Sequence, residues 1–143
     1  MGYKRRKGVA IVDTPKGILV VAGRSKKFIL PGGGAKRGES RKHAAIRELY
    51  EETGLKTKRA KYLFSYVGKK WHTRKGFVRN YAKVFLIEAY GKPKPRNEIK
   101  YIAFWKPGSK IHITTGTKKI IEKYLKEYKR KGIIRSLFRF LFR

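Results

Sequence analysis

The apolar residues of the first part of the chain occur in short, β-branched runs. Residues 9–12 and 17–22 form two such runs, and residues 14–17 between them, Thr-Pro-Lys-Gly, are typical of a turn. This pattern predicts two antiparallel strands joined as a hairpin. Residues 3–7 precede them and contain four basic side chains, so we expect a basic arm ahead of the first strand.

A glycine-rich segment and a helical segment follow the predicted hairpin. The apolar run 28–30 leads to three successive glycines at 32–34, which allow backbone conformations closed to other residues and indicate a loop that a ligand approaches closely. From Ser40 to Thr53 the sequence contains strong helix formers and no Gly or Pro. Because Ser40 is a favoured N-cap and Gly54 a natural C-terminal stop, we predict a helix here.

The middle of the chain again has the pattern of strands. Residues 62–67 and 81–90 are rich in aromatic and β-branched side chains, as strands are. Residues 69–77 lie between them and combine Lys and Arg with Trp, His and Phe. We therefore interpret this connection as a candidate substrate loop.

The last part of the predicted domain contains one more strand and one more helix. Prolines at 93 and 95 mark a loop, residues 99–105 have the pattern of a short strand, and residues 117–129 have the spacing of a helix. The order is mostly β, one α, more β and one α, which is typical of an α/β fold. We assign residues 1–131 to a single domain.

The segment 132–143 has a distinct pattern of its own. Its arginines recur every four residues, and its apolar side chains cluster at helical spacing, at Ile133, Ile134, Leu137, Phe138 and Leu141. This predicts a basic amphipathic helix. Packing on the domain or on a second subunit, giving a homodimer, is the favoured interpretation over contact with a membrane surface or with nucleic acid.

Length and charge narrow the class of protein. The 143 residues suit one compact domain, and no apolar stretch approaches the roughly 18 residues that cross a bilayer. The chain has no cysteine and no apolar segment after Met1, so we expect a cytoplasmic location. The net charge of +30 indicates polyanionic partners, among them RNA, although a solubilising surface explains it equally well.

Acidic residues are few, yet four of the nine lie within residues 39–52. Glu48, Glu51 and Glu52 are related by i, i+3 and i+4, which would put three carboxylates on one face of the predicted helix, where like charges repel. They also fall near its C-terminus, where the helix dipole disfavours anions. A bound Mg²⁺ would compensate them; the alternative is a solvated acidic face paired with Lys and Arg.

The sequence around these carboxylates decides between the two interpretations. Residues 33–55 resemble the Nudix box at every defined position, namely Gly33, Glu39, Arg47, Glu48, Leu49, Glu51, Glu52, Gly54 and Leu55. The resemblance implies an α/β/α sandwich with a mixed, largely antiparallel curled sheet between helices. It also implies a hydrolase that cleaves a phosphoanhydride bond in a nucleotide derivative with Mg²⁺, or Mn²⁺, as cofactor.

Roles for individual residues follow from this resemblance. Metal ligands would be Glu48, Glu51, Glu52 and the carbonyl of Gly33. Arg47 would orient Glu48, and Glu39 would brace the loop or act through water. The carboxylate that takes the proton from the attacking water would be Glu52, with Glu98, just before a predicted strand, as the second candidate.

The substrate is less closely defined by the sequence. Trp71 and Tyr81 could stack on a base, and Lys70 and Arg79 could hold phosphates, unless the aromatic residues are simply part of the core. No proline occurs in residues 56–92, which argues against the family's ADP-ribose and NADH subgroups. Three functions stay open: hydrolysis of a small nucleotide, the same reaction at an RNA 5′ end, and a non-catalytic module that binds nucleic acid.

Overall fold

The computed structural model describes residues 3–129. In chain order the strands and helices are β1 (Tyr3–Ile11), β2 (Asp13–Thr14), β3 (Gly17–Ala22), β4 (Gly32–Gly34), α1 (Arg41–Thr53), β5 (Lys56–Val67), β6 (Trp71–Thr73), β7 (Gly76–Tyr90), β8 (Tyr101–Trp105) and α2 (Thr115–Tyr124), and a π-helical segment, Leu125–Lys129, continues α2. None of the helices described here has the length and apolarity needed to cross a membrane. The basic amphipathic helix predicted within 132–143 lies outside the described residues.

The larger sheet has the order β4-β1-β7-β5, and β6 also pairs with β7. Strands β1 and β7 run parallel, in register from Tyr3 opposite Val78 to Ile11 opposite Leu86. The other pairings in this sheet are antiparallel. The predicted mixed, largely antiparallel sheet is therefore confirmed.

The hairpin predicted from residues 9–22 is wrong for its first strand. Only Asp13–Thr14 pairs with β3, in a smaller sheet of order β2-β3-β8, whereas β1 belongs to the larger sheet. The expectation of a basic arm is also wrong, because residues 3–7 are the first half of β1 and pair with β7. A turn pattern reports on neighbours in sequence, whereas the partner of β1 is about seventy-five residues away, as the pairing of Tyr3 with Val78 shows.

The candidate substrate loop at residues 69–77 is largely a tight hairpin. Thr73 lies opposite Gly76, so the turn consists of Arg74 and Lys75, and β7 begins at Gly76 rather than at the predicted residue 81. The hydroxyl of Thr73 donates to the carbonyl of Gly76 at 2.8 Å and closes the turn. Strand pairing continues through most of this basic, aromatic segment.

Helix α1 forms where the sequence predicts it. The side chain of Ser40 accepts a hydrogen bond from the backbone N–H of His43, and Gly54 ends the helix in a left-handed conformation, with φ of 78°. The helix packs directly on β1 at Gly8, where an added Cβ would lie 1.9 Å from the carbonyl oxygen of Arg41. Only glycine permits this close approach.

Two apolar clusters lie on opposite faces of β1. Ala10 contributes to the cluster beneath α1 with Leu49, whereas Val9 contributes to the cluster beneath α2 with Ile120. Successive side chains of a strand point to opposite faces, so β1 is covered by a helix-bearing layer on each side. The α/β/α sandwich predicted for the chain is confirmed.

Candidate active site

The glycine strand β4 lies against the acidic face of α1. An added Cβ at Gly33 would lie 2.6 Å from the carboxylate carbon and Oε2 of Glu48, closer than real Cβ atoms approach another group. The backbone N–H of Gly32 donates to Oε1 of Glu52 at 3.2 Å. The segment predicted to be approached by a ligand is thus approached by two carboxylates of its own chain.

Three carboxylates converge beside this strand. One oxygen from each of Glu48, Glu52 and Glu98 lies within 4.8 Å of the other two. Glu52 is 4% exposed and Glu98 is exposed, so the group spans from the interior to the surface. Two of these residues come from α1, and the third follows β7 by a loop.

The loop before β8 brings Glu98 to this position by covering the end of α1. Carbonyls in the last turn of a helix have no partner within the helix. Loop residues donate to three of these carbonyls: Lys94 N to Thr53 O at 2.9 Å, Arg96 N to Glu52 O at 3.1 Å, and Asn97 Nδ2 to Glu51 O at 2.8 Å. Arg96 Nη1 also donates, at 3.2 Å, to Tyr50 O, which accepts from the Gly54 N–H as well. The C-terminus of α1 therefore fixes the loop that carries Glu98.

Arg96 and Asn97 were missed as site-building residues by the sequence analysis. Asn97 has φ of 54°, a left-handed conformation that Asn tolerates better than most residues. An Asn after two prolines and before Glu98 is a turn signal that could have been noticed. The bond from Asn97 to Glu51 could not have been recognised from the sequence, because Glu51 lies 46 positions earlier in the chain.

Arg47 connects the carboxylates of Glu39 and Glu48. Its Nε and Nη2 donate to the two carboxylate oxygens of Glu39, at 2.8 and 2.9 Å, and its Nη1 donates to Glu48 at 2.6 Å. Nη2 also donates to the carbonyl of Gly34 at 3.1 Å. Arg47 thus ties α1 to β4 and orients Glu48.

These bonds fix the charges of both partners. The hydrogen bonds from Arg47 and from the backbone of Lys36 lower the pKa of Glu39 to about 2. The bonds to Glu39 and Glu48 raise the pKa of Arg47 above its already high value. Glu39 is therefore ionised at neutral pH and holds the guanidinium group of Arg47 in place.

Glu51 lies apart from the three converging carboxylates. Its Oε2 is 3.2 Å from Nη1 of Arg47, and 43% of its side-chain surface is exposed. It is not part of the group formed by Glu48, Glu52 and Glu98 within residues 3–129. Its role as a metal ligand stays a prediction.

Glu52 is the most perturbed carboxyl of the site. Burial, followed by the hydrogen bond and the negative charge of Glu48, raises its pKa to about 8, although the N–H of Gly32 acts in the opposite direction. Lys7 lies close enough for its charge to be favoured by Glu52 and Glu48, but burial and Arg5 lower its pKa. Glu52 therefore holds a proton at neutral pH in the cation-free protein.

The chemistry of this donor set fits a hard divalent cation. Mg²⁺ prefers carboxylate and carbonyl oxygens and keeps part of its shell for water and phosphate. Glu48, Glu52 and Glu98 offer oxygens close to one another, and Glu52 is both buried and destabilised as an anion by Glu48. The role of the Gly33 carbonyl as a metal ligand stays a prediction.

A cavity of ≈ 450 Å³ lies on the α2 side of the larger sheet, and Lys7 is one of the residues that line it. Its lining includes Val9, Tyr66 and Asn80, together with residues 114–117 at the start of α2. Oδ1 of Asn80 is buried and has no hydrogen-bond partner among the described residues. Lys7 and Asn80 were not predicted as site residues, because Lys7 was taken for part of an arm.

The four predicted substrate-binding residues do not share one face. Trp71 lies opposite Val78, and since side chains alternate along a strand, Arg79 and Tyr81 point to the other side of the sheet. The ring of Tyr81 lies 5.0 Å from Nζ of Lys4. Lys70 precedes β6, with its Nζ 5.8 Å from the ring of Phe77. Their contact with substrate stays a prediction.

Comparisons with known proteins agree with this geometry. A family model described as the NUDIX domain matches residues 3–124. A solved Nudix hydrolase family member from Chromobacterium violaceum is 36% identical, with a TM-score of 0.76, and the match covers 94% of this chain and 88% of that protein. No significant match was found among curated proteins.

Two further solved structures are similar in fold. A MutT Nudix hydrolase from Burkholderia pseudomallei is 22% identical over 84% of this chain and 97% of that one, with a TM-score of 0.71. A UDP-X diphosphatase is 20% identical over 90% of this chain and 64% of that one, with a TM-score of 0.72. With the family model matching residues 3–124 and the 36% identity to the Chromobacterium protein, this chain belongs to the Nudix hydrolases, pyrophosphohydrolases that act on acid anhydrides in phosphorus-containing compounds.

Proposed function

We propose that this protein hydrolyses a phosphoanhydride bond in a nucleoside diphosphate derivative or a nucleoside triphosphate, with Mg²⁺ as its cofactor. The observation that carries the proposal is the convergence of Glu48, Glu52 and Glu98 within 4.8 Å beside the glycine strand. Nudix hydrolases in general use divalent metal ions, and this group has the oxygens that such an ion needs. A module that only bound polyanions would gain nothing from three converging carboxylates.

When bound, the cation supplies charge neutralisation at the diphosphate and lowers the pKa of water. Residues of the chain itself hold the carboxylates in position. Arg47 holds Glu48 in place through the 2.6 Å bond, and the N–H of Gly32 holds Oε1 of Glu52. Glu52, ionised once the cation is bound, would receive the proton of the attacking water, with Glu98 as the alternative acceptor at the exposed side of the group.

Substrate binding is proposed in the cavity next to Lys7. The ammonium group of Lys7 offers a positive charge for a phosphate, and the unpartnered Oδ1 of Asn80 can accept from an N–H of a base. The first turn of α2 also borders the cavity, and unpaired N–H groups at a helix start favour anions. These features suit a nucleotide without selecting its base or leaving group.

The solved structures of similar fold do not select a substrate either. The MutT Nudix hydrolase and the UDP-X diphosphatase are 22% and 20% identical to this chain, which supports a common fold and no more. The absence of proline from residues 56–92 continues to argue against ADP-ribose and NADH. An RNA 5′ end is the second candidate substrate, because Arg5 and Lys7 lie on the same face of β1 and lead toward the site.

The test is turnover on a panel of nucleoside triphosphates, nucleoside diphosphate derivatives and 5′-triphosphorylated RNA, with Mg²⁺, with Mn²⁺ and with chelator. We expect cation-dependent release of products, and ¹⁸O from labelled water on phosphorus. Glu52→Gln should lower kcat by about 10²- to 10⁴-fold, the usual contribution of a general base. The matched control is Glu122→Gln, an exposed glutamate on α2.

Two results would overturn the proposal. One is a full panel without cation-dependent turnover, which would leave the non-catalytic module. The other is equal turnover by Glu52→Gln and Glu122→Gln, which would remove the carboxylate group from the reaction.

A further inference from the structure

Two exposed aromatic rings flank a buried valine at one end of the larger sheet. Val78 pairs with Tyr3 of β1 on one side and with Trp71 of β6 on the other, so the three side chains form a row on one face. Val78 is 1% exposed, whereas Tyr3 is 54% and Trp71 is 40% exposed. The two rings lie on either side of the valine and present much of their surface to solvent.

Two further rows continue from the aromatic row toward the active site. Arg5 lies opposite Asn80, and Lys7 lies opposite Ala82. Alternate residues of a strand share a face and lie roughly 6.7 Å apart, so Arg5 and Lys7 point to the same side as Tyr3. We call the residues that share this face the aromatic-basic strip: Tyr3, Arg5, Lys7, Trp71 and Asn80.

The strip meets the proposed catalytic group at Lys7. Lys7 borders the cavity of ≈ 450 Å³, as does Asn80, and its charge interacts with Glu52 and Glu48. On the other side, Arg5 lies against β4, with its Nε 3.5 Å from the position of an added Cβ at Gly34. The strip therefore runs along the five residues of β1 from Tyr3 to Lys7 and leads out of the site.

The strand segments of this region of the sheet carry basic side chains and no acidic ones. The segments 3–11 and 66–83, which supply its strands, contain neither Asp nor Glu. Their basic residues are Lys4, Arg5, Arg6, Lys7, Lys69, Lys70, Arg74, Lys75, Arg79 and Lys83. Such a surface attracts a polyanion, and the exposed rings specify which kind.

Single-stranded nucleic acids bind to grooves that combine cations for phosphates with aromatic side chains on which bases stack. In a duplex the bases are already stacked on one another and are not available to the exposed rings, and a lipid surface has no bases to stack on them. We propose that the aromatic-basic strip binds a single-stranded polynucleotide, with bases on Tyr3 and Trp71 and phosphates at Arg5 and Lys7. This goes beyond the proposed hydrolysis, since binding to the strip requires no turnover.

The test is the fluorescence anisotropy of a 3′-labelled, 12-nucleotide single-stranded RNA with a 5′-hydroxyl, measured with the full chain and without Mg²⁺. This probe contains no phosphoanhydride, so the result is independent of catalysis. Trp71→Ala should weaken binding about fivefold or more, the usual loss for one stacked base, and Trp71→Phe should retain the affinity within about twofold. Arg5→Ala should reduce the slope of log K against log salt by about 0.7, as expected for one phosphate contact.

The matched controls lie at the far end of β7. Tyr90→Ala removes an aromatic ring that is as exposed as Tyr3, and Lys92→Ala removes an exposed cation just beyond it. Both should bind the RNA as tightly as the unchanged protein. Equal losses in the strip variants and the controls would show diffuse attraction to a cationic protein and overturn the proposal, as would tighter binding to duplex RNA or to phosphatidylserine vesicles.

Discussion

Asn97 donates its side-chain N–H to the backbone carbonyl of Glu51 at 2.8 Å, and this bond joins the loop after β7 to the last turn of α1. The next residue along the loop is Glu98, the third carboxylate of the proposed metal site. A single hydrogen bond between segments far apart in sequence thus helps to set the geometry of the site. Glu98 depends on Asn97 in two ways, through this bond and through the left-handed backbone at Asn97, where φ is 54°.

Replacing Asn97 should separate these two contributions. Asn97→Ala removes the donor and strains the backbone, and Asn97→Gly removes the donor only, because glycine adopts positive φ freely. We expect both variants to bind Mn²⁺ more weakly, with Asn97→Ala also losing about 1–2 kcal/mol of unfolding free energy. Titration calorimetry and urea denaturation measure the two effects. Unchanged Mn²⁺ affinity in both variants would show that Asn97 does not position Glu98.

Cation binding should release a proton. Glu52 has a pKa of about 8 in the cation-free protein, so it is protonated at pH 7, whereas a metal ligand must be ionised. Calorimetric titration with Mn²⁺ in buffers of different ionisation enthalpy should give close to one proton released at pH 6.5. The release should fall to about half at pH 8, the pKa of Glu52, and disappear as the pH rises further. Glu52→Gln should release none, and release by that variant equal to the unchanged protein would assign the proton elsewhere.

The stability of the cation-free protein should depend on pH in opposite directions at the two ends of the range. The raised pKa of Glu52 contributes stability that is fully present below its ordinary value of 4.5 and is lost as the pH rises through about 8. The lowered pKa of Glu39 contributes stability that is present above 4.5 and is lost as the pH falls through about 2. Chemical denaturation across this range, with and without Mg²⁺, measures both. Addition of Mg²⁺ should reduce the loss at high pH; an identical loss with Mg²⁺ would contradict the site.

Gly33 should tolerate no side chain. A Cβ there would lie 2.6 Å from the carboxylate carbon of Glu48, so Gly33→Ala should displace that carboxylate and weaken Mn²⁺ binding by about tenfold or more. Gly34→Ala is the matched control on the same strand, because its Cβ would meet nothing closer than 3.5 Å. The measurement is the Kd of each variant for Mn²⁺, determined by titration calorimetry. Equal values would mean that Glu48 moves aside without consequence.

Arg47 should not be replaceable by lysine. Its guanidinium bonds both oxygens of Glu39 and one of Glu48 at once, which one ammonium group cannot reproduce. Because residues that orient metal ligands typically contribute 10- to 100-fold in affinity, Arg47→Lys should weaken Mn²⁺ binding by about that factor. The pKa of Glu39, followed by NMR, should rise toward its ordinary value. Arg24→Lys, at an exposed turn after β3, should change neither quantity.

The sequence by itself determined the features that depend on neighbours along the chain. Helix α1 has its cap at Ser40 and its stop at Gly54, and both can be recognised from adjacent residues. The spacing of Glu48 and Glu52 on that helix, and with it the assignment to the Nudix family, is likewise local. The α/β/α class followed from the order of such segments and from the resemblance.

Only the tertiary structure decided which distant segments meet. The pairing of β1 with β7 turned a supposed basic arm into a strand of the larger sheet, and the pairing of β1 with β4 brought Lys7 close to the carboxylates. The covered C-terminus of α1 brought Glu98 to Glu52, although 46 positions separate them. The physical reason is the same in both cases: long-range partners are chosen by burial of apolar strands and by satisfaction of unpaired backbone groups across the whole fold, and no short stretch of sequence records that choice.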